Sequence, residues 1–169
     1  MKHITILIAT PLLFLLVACE DKKDDTDTTL TVVEVITNDM DDGAYYYNFT
    51  SAAEDSSTWH LSAQNIVVGN YYMPSIILDS TKLMVAVDTV NAFTDITTGP
   101  SSSSYSTSTG MVSYGGLNEI LNYNFISHTV STSTSTYFVY IIATHKVYKI
   151  FFEEYSDGVI KFNYADLTG

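Results

Sequence analysis

Positive charge is scarce in this chain. Seven lysines and no arginine stand against 19 acidic residues, which gives the 169 residues a formal net charge of −12. Proteins that bind nucleic acid place a cluster of positive charge against the phosphates. The composition therefore argues against nucleic acid as a partner, and it disfavours anionic membrane surfaces for the same reason.

Cysteine is scarcer still, because Cys19 is the only one in the chain. A single cysteine excludes a disulfide within the chain and a cysteine metal cluster. The three histidines beyond the N-terminal segment, His60, His128 and His145, lack the near-neighbour spacing of a metal-binding helix motif. The stability of the folded chain must therefore come from its core.

Catalytic motifs are missing as well. The sequence has no glycine-rich phosphate loop, and none of its serines lies in a nucleophile elbow. Most acidic residues lie in turns, and Asp41 and Asp42 before Gly43 lack the alternating spacing of a calcium loop. We find no positive case for catalysis and predict that the protein is not an enzyme.

The N-terminal segment has the features of an export signal. Lys2 precedes a hydrophobic run over residues 4–17, and the run ends in Leu-Val-Ala-Cys at residues 16–19. A small residue before a cysteine at this place resembles the cleavage box of bacterial lipoproteins, which implies removal of signal peptide 1–18 and lipidation of Cys19. The alternatives are an ordinary secretory signal or a spanning helix, for which the run is shorter than the roughly 20 apolar residues required.

Residues 19–29 are polar and charged without apolar periodicity, which predicts an acidic, disordered tether. Lys-Asp-Asp at residues 23–25 resembles the signal that sends Bacteroidetes lipoproteins to the outer face of the outer membrane; the alternative is a solvated spacer. The remaining roughly 140 residues are enough chain for one domain. We therefore predict a single domain over residues 30–169, anchored by lipid to the outer membrane and facing the cell exterior.

Three β-rich runs close the chain and predict an antiparallel meander. Residues 137–142 are continuously apolar, which is typical of a strand covered on both faces. Residues 147–155 follow, and residues 159–164 come after Asp157-Gly158, a dipeptide suited to a tight hairpin turn. In the last run apolar and polar residues alternate, which predicts a core face formed by Ile160, Phe162 and Tyr164.

The rest of the domain also has the pattern of strands. Further β-rich runs cover residues 30–36, 44–50, 59–68, 76–78 and 83–90. No convincing amphipathic helix interrupts them, and the 13 tyrosines suit half-buried pleated surfaces. Many short strands with turns between them predict an all-β fold, either an antiparallel sandwich or an open barrel that ends in the C-terminal β-meander.

Two segments rich in serine and threonine, residues 94–110 and 127–136, break the strand pattern. Long loops between strands often carry function, and they are also often simple solvated connections. The threonines of the second segment suit an edge strand as well. From the sequence these alternatives stay open.

The C-terminal meander, read with Trp59, resembles the HmuY-like family of haem-binding lipoproteins from Bacteroidetes. Lys149 stands at the place of the family's lysine, and residues 158–164 match its Gly-Val-Ile-x-Phe-x-Tyr strand. The aromatic run at 45–49 and the tryptophan-centred run at 59–68 follow the family's order. The resemblance covers both ends of the domain and little of its middle. It implies a protein that captures haem or a porphyrin for a TonB-dependent outer-membrane transporter.

The chain departs from the family at the positions that hold haem. Members that ligate haem through two histidines place them where this chain has residues near Tyr105 and Gly116, and neither histidine is present. His60 also stands where the family has aspartate, and the first C-terminal hairpin turns on Thr144-His145 where the family has Asp-Gly. The family's histidine ligands therefore cannot be carried over.

Three other side chains are candidate axial ligands, because haem iron also accepts histidine, methionine and tyrosine elsewhere in the site. Tyr105 and Met111 lie beside the two ligand-bearing loops, and His128 follows the second. The alternatives are a core or gap-filling role for Met111, an exposed loop position for Tyr105, and an exposed strand or turn position for His128. Haem is the cofactor that the resemblance implies.

Two functions from different classes follow from these observations. The first is a surface lipoprotein that captures haem, although the negative charge argues against a ligand with two propionates. The second is an adhesive or glycan-binding module without a metal cofactor, with tyrosine-rich strands and Ser/Thr loops as its binding face. A structure can discriminate between these functions. Tyr105, Met111 and His128 around one cleft would favour haem capture, and the same residues far apart would favour the module without haem.

Overall fold

The chain forms β-strands along its described length. The computed structural model describes residues 30–107, 111–112 and 119–168, the pair at 111–112 by its backbone alone. The predicted signal peptide and tether, and with them Cys19, lie outside the described residues. The described strands are β1 (Val32–Ile36), β2 (Tyr45–Asn48), β3 (Ala53–Glu54), β4 (Leu61–Val68), β5 (Tyr71–Leu78), β6 (Leu83–Asp88), β7 (Met111–Val112), β8 (Leu121–Asn124), β9 (Thr129–Thr132), β10 (Thr136–Ile141), β11 (Val147–Ser156) and β12 (Val159–Asp166), with short 3-10 helices at Phe93–Asp95 and Ser102–Ser104.

The described strands form two five-stranded sheets and one separate hairpin. The first sheet has the order β1-β12-β11-β10-β6, the second has the order β3-β2-β4-β5-β7, and β8 pairs with β9. All of these pairings are antiparallel. The all-β prediction is confirmed. Among the described residues, no helix is long and apolar enough to cross a membrane.

The two sheets face each other across one aromatic core. Tyr47 of β2 and Tyr164 of β12 come from different sheets, and their hydroxyl oxygens lie 3.0 Å apart inside that core. Phe49 packs against Tyr148 and Tyr164 with ring centroids 5.7 and 5.3 Å apart. Aromatic side chains bury a large apolar area each, so these rings join the sheets into an antiparallel sandwich.

The C-terminal meander forms as the sequence predicts. β10, β11 and β12 are neighbours in the first sheet, and Ile160, Phe162 and Tyr164 are buried. Asp157 and Gly158 make the β11–β12 turn with φ of 47° and 83°. A tight hairpin turn with positive φ at both central residues favours Asp-Gly, which is why the sequence identifies this turn.

The β4–β5 hairpin is longer than the sequence predicts. The runs expected at 59–68 and 76–78 belong to one continuous ladder, because β5 begins at Tyr71 and only two residues separate it from the end of β4. The sequence pattern misses the first half of β5 because Pro74 lies within it and proline is rare inside strands. The strand predicted over the tryptophan-centred run at 59–68 also begins two residues later than expected, because β4 begins at Leu61.

The two Ser/Thr segments differ in structure. Within the described part of residues 94–110 there is a loop with a short 3-10 helix, and Ser106 makes an isolated bridge with Val85 of β6. Part of residues 127–136 forms β9, as the edge-strand alternative predicts. The described strands and core all lie between Val32 and Asp166, so a chain that begins at residue 20 keeps the whole described fold.

Candidate functional site

An open groove of about 560 Å³ lies on the outer face of the first sheet. Its floor is formed by Ala86 of β6 and Phe138 of β10, which pack with Ile96 in an apolar cluster separate from the main core. Its walls come from the segment after β6 and from the polar loop that follows. We call this site the loop groove, and its lining consists of residues 86–91 and 95–100, Ser104 and Phe138.

Lys149 holds one wall of the loop groove from below. Its side chain is 2% exposed, and Nζ donates hydrogen bonds to the carbonyl oxygens of Phe93 at 2.6 Å and of Ile96 at 2.7 Å. The ammonium also lies 4.2 Å from the centroid of the Phe93 ring, a cation–π geometry. Burial lowers the pKa of Lys149, and the nearby Asp95 carboxylate opposes that shift. One buried cation therefore ties the loop to β11.

Two further contacts hold the rest of the loop. Ser106 and Val85 exchange backbone hydrogen bonds of 3.0 and 2.8 Å. Gly99 lies directly against β11, because a Cβ atom at this position would stand 3.0 Å from Cγ1 of Val147. A side chain at position 99 would require Val147 or the loop to shift by a few tenths of an ångström, so glycine suits the close approach. The wall is thus fastened to β6 and β11.

The rim of the loop groove is polar, and the described residues that line it include no cationic side chain. The polar side chains of this lining are Asp88, Asp95, Asn91, Thr89, Thr97, Thr98 and Ser104. Asp88 is rigid, since its Oδ1 accepts the backbone N–H groups of Val90 at 2.8 Å and Asn91 at 2.9 Å. A side-chain hydrogen bond from Asn91, together with these backbone bonds, lowers the pKa of Asp88. The site therefore presents fixed negative charge and hydroxyl groups.

Tyr105, a predicted ligand, lies behind the loop groove with its hydroxyl directed into the protein. That hydroxyl is buried, has no hydrogen-bond partner in the described part of the chain, and lies 3.5 Å from the place of a Cβ at Gly99. Burial raises the pKa of Tyr105 to about 12. The ring packs against Tyr140, with centroids 5.9 Å apart. Tyr105 is therefore half-buried, and the alternative of an exposed loop tyrosine is wrong.

His128 lies in the β8–β9 turn. Its side chain is exposed, its φ is 54°, and its Nδ1 lies 2.7 Å from the hydroxyl of Tyr123. The ring centroids of the two residues are 6.1 Å apart. His128 therefore occupies an exposed turn position, which is the alternative to a ligand role given for it above.

Tyr105 and His128 do not line one cleft. The β8–β9 hairpin reaches β11 at Glu153, whose carbonyl oxygen accepts a hydrogen bond from Thr132 at 3.3 Å. The loop that holds Tyr105 touches β11 at Val147 instead. Six residues of an extended strand separate these two contact points, which corresponds to about 20 Å.

Met111 belongs to the second sheet, where its backbone pairs with Ile77 of β5. Its side chain lies outside the described residues, as do Gly116 and Cys19. The three ligand candidates are therefore divided among the outer face of the first sheet, a strand of the second sheet and the β8–β9 turn.

Sequence reasoning assigned no contact to His60 or Lys149, and both have structural roles. His60 is buried, its Nδ1 accepts a hydrogen bond from the backbone N–H of Phe49 at 3.1 Å, and the two rings stack 6.1 Å apart. Burial lowers the pKa of His60, which keeps the ring neutral and able to accept that bond. The sequence also did not predict the groove carboxylates Asp88 and Asp95, for which the Ser/Thr-rich loop is the available signal.

Comparison with known proteins leaves the function of this groove open. No protein-family model matches the chain, and no curated protein matches it. The described residues contain no group of three or more histidine, cysteine, aspartate or glutamate side chains that could hold a metal ion. Fold and site define an all-β sandwich with an open, loop-walled polar groove, and the resemblance to HmuY-like lipoproteins stays a prediction.

Proposed function

We propose that this protein is a surface-anchored, non-enzymatic binding module that captures a carbohydrate in the loop groove. The observation that supports this proposal is the described lining, which sets carboxylate, amide and hydroxyl groups around an apolar floor and contains no cation among its described residues. Sugars offer hydroxyl donors for these acceptors and an apolar ring face for the floor at Phe138. A shallow, open groove also suits a chain-like ligand.

The charge of the loop groove narrows the class of carbohydrate. Asp88 and Asp95 both lie in the lining, and the hydrogen bonds to Asp88 lower its pKa and keep it ionised. Lys149 does not offset them at the surface, because its Nζ is bonded to two backbone carbonyls beneath the loop. Neutral sugars and amino sugars are therefore the expected ligands, and acidic sugars are not.

The anchor has a separate role in this proposal. A lipid at Cys19 holds the domain on the outer face of the outer membrane, and residues 19–29 separate the domain from that membrane. The loop groove is built between residues 86 and 138, so its affinity does not depend on lipidation.

Calorimetric titration of residues 20–169 with neutral and amino-sugar oligosaccharides tests the proposal. Asp95→Asn should weaken binding about tenfold, because a charge-assisted hydrogen bond becomes a neutral one. Asp42→Asn is the matched control, since Asp42 is an exposed carboxylate outside the groove. Absence of binding to every such oligosaccharide, or an equal loss in both variants, would contradict the proposal.

Haem or a porphyrin is the second candidate ligand, with a TonB-dependent transporter as partner. One observation favours it: the Tyr105 hydroxyl lies behind the groove and has no hydrogen-bond partner among the described residues, and tyrosine is a known axial ligand of haem iron. Two observations oppose it. Burial raises the pKa of Tyr105 to about 12, which disfavours tyrosinate, and the groove carboxylates repel the propionates.

A haem titration followed at the Soret band, in ferric and dithionite-reduced states, tests this candidate. Binding should be weaker or of a different spectral type than in relatives with two histidine ligands. Tyr105→Phe should abolish a ferric spectrum and Met111→Ala a reduced one, because thioether sulfur prefers ferrous iron. His128→Ala should leave both spectra unchanged, because His128 lies in the β8–β9 turn and is not part of the groove lining. A flat titration in both states ends the haem proposal.

A further inference from the structure

Two hairpin tips expose large apolar side chains to solvent. At the β4–β5 turn Tyr71 and Tyr72 are 74% and 78% exposed, and at the β8–β9 turn Phe125 and Ile126 are 81% and 93% exposed. Two exposed valines stand opposite the tyrosines in the β4–β5 ladder. We call these six residues the hairpin-tip surface: Val67, Val68, Tyr71, Tyr72, Phe125 and Ile126.

The β4–β5 tip projects from the end of the sandwich opposite to the tether. β1 begins at Val32 on the tether side and leads to the other end, where the backbone N–H of Met40 donates to the carbonyl of Gly158 at 2.9 Å. At that end the side chain of Asn65 in β4 donates to Asp41 Oδ1 at 2.6 Å. β4 continues past this contact to its turn, so the tip points away from the tether.

The β8–β9 tip lies at the same end. Thr132 of β9 bonds to Glu153, which is on the half of β11 that leads to the Gly158 turn. From β9 the chain enters β10 and runs toward the tether side, so the β8–β9 turn points the other way. β8 also contacts β5. The two apolar tips therefore lie at the same end of the sandwich.

The β4–β5 tip is apolar on both faces of its ribbon. Val67 pairs with Tyr72 on one face, and Val68 pairs with Tyr71 on the other. No charged residue occurs from position 61 to 78. A flat protein partner would cover one face of such a ribbon and leave the other in water. A lipid phase surrounds both faces, so the hydrophobic effect favours a bilayer as the occupant.

A pocket of about 410 Å³ at the base of this tip brings Asp41 and Tyr72 together. A carboxylate beside an aromatic face is the chemistry that binds a quaternary ammonium group. Asp39 adds a second carboxylate, since its Oδ1 accepts the backbone N–H of Asp41 at 2.8 Å. The charge around the tip therefore complements a choline headgroup and repels an anionic one.

We propose that the hairpin-tip surface docks on a phosphatidylcholine bilayer, with one choline headgroup in the pocket between Asp41 and Tyr72. The two outermost residue pairs of the β4–β5 ribbon extend about 7 Å, which matches insertion to the boundary between headgroups and acyl chains. At that depth headgroups and water still satisfy the backbone groups at the ribbon's edges, and tyrosine is enriched there. A chain anchored at Cys19 presents this surface away from its own membrane.

Vesicle flotation of residues 20–169 tests the proposal. The protein should bind phosphatidylcholine vesicles, and adding phosphatidylglycerol should weaken that binding at low salt. Val67→Ser with Tyr72→Ser, and separately Phe125→Ser with Ile126→Ser, should each lower vesicle affinity about tenfold. Ile142→Ser is the matched control, because Ile142 is an exposed apolar residue in the β10–β11 turn on the tether side. It should bind like the wild type.

Asp41→Asn tests the headgroup pocket. It should weaken binding to phosphatidylcholine vesicles several-fold without changing thermal unfolding, and excess phosphocholine should compete with the vesicles. The proposal is overturned if phosphatidylcholine vesicles are not bound, if the tip variants bind like the wild type, or if anionic vesicles bind more strongly. A dimer in sedimentation velocity that the tip variants abolish would also overturn it, because the surface would then belong to a second copy.

Discussion

The hydroxyl of Tyr140 hydrogen-bonds to Nδ1 of His145 across the β10–β11 turn, five residues further along the chain. Tyr123 and His128 repeat this arrangement across the β8–β9 turn with the same spacing. Both histidines have positive φ, 58° and 54°, a conformation that is unfavourable for residues other than glycine. The tyrosine–histidine bond offsets that strain, so one local arrangement closes two separate hairpins.

Variants of the β10–β11 turn should separate the effect of backbone strain on stability from the effect of the tyrosine–histidine hydrogen bond. Tyr140→Phe should lower the free energy of unfolding by about 1 kcal/mol, because it removes the bond to His145. His145→Ala should lower it by about 2 kcal/mol, since it loses the bond and keeps the unfavourable φ. His145→Gly should be close to neutral, because glycine relieves the strain. Urea denaturation measures all three, and equal stability of the alanine and glycine variants would contradict this account.

Tyr105→Phe should stabilise the protein at neutral pH. The buried hydroxyl of Tyr105 has no hydrogen-bond partner in the described residues, so its removal should raise the free energy of unfolding by about 1 kcal/mol. Tyr137→Phe is the matched control. The Tyr137 hydroxyl donates to the carbonyl oxygen of Glu119 at 2.6 Å, and its loss should destabilise the protein by a similar amount. Opposite signs in urea denaturation are the expected result.

The same residue should contribute to alkaline unfolding. Burial raises the pKa of Tyr105 from 10.0 to about 12. Between these values the folded state keeps a proton that the unfolded state loses, so stability should fall as the pH rises through this window. Tyr105→Phe should make that decline shallower. Urea midpoints at about pH 9 and about pH 11 measure the slope, and identical slopes for the variant and the wild type would refute the assignment.

Lys149→Met should loosen the wall of the loop groove. It leaves the carbonyls of Phe93 and Ile96 without their donor and should lower the free energy of unfolding by about 2 kcal/mol. Limited proteolysis within residues 93–107 should become faster. Lys161→Met is the control, since Lys161 forms surface ion pairs with Glu34 and Glu153 and should change little. Equal protection of the loop in both variants would show that Lys149 does not hold it.

Gly158→Ala should be more destabilising than Gly69→Ala. Both glycines have positive φ, 83° and 63°. A Cβ at Gly158 would lie 2.1 Å from Oδ1 of Asp39, whereas nothing lies within 4 Å of one at Gly69. We expect losses of about 2 kcal/mol and about 1 kcal/mol respectively, the difference being the clash. Thermal and urea unfolding of the two variants give this comparison directly.

Local chemistry is enough to predict much of the fold. The alternation that buries Ile160 and Phe162 is a property of one strand, and the Asp157-Gly158 turn depends on the φ preferences of two residues. The first half of β5 escapes the same reasoning, because Pro74 breaks the local pattern while the partner strand β4 still supplies the pairing.

The sequence by itself determined the alternation of apolar and polar residues within the strands and the last turn of the C-terminal meander. Both depend only on neighbouring residues. Only the tertiary structure decided which residues form the loop groove. Lys149 bonds to carbonyls 56 and 53 residues earlier in the chain, and Asp41 shares a pocket with Tyr72. Such contacts depend on how two sheets stack and where a loop folds back, and the energy that selects them comes from burial across the whole core. Such contacts therefore cannot be predicted from a local pattern of residues.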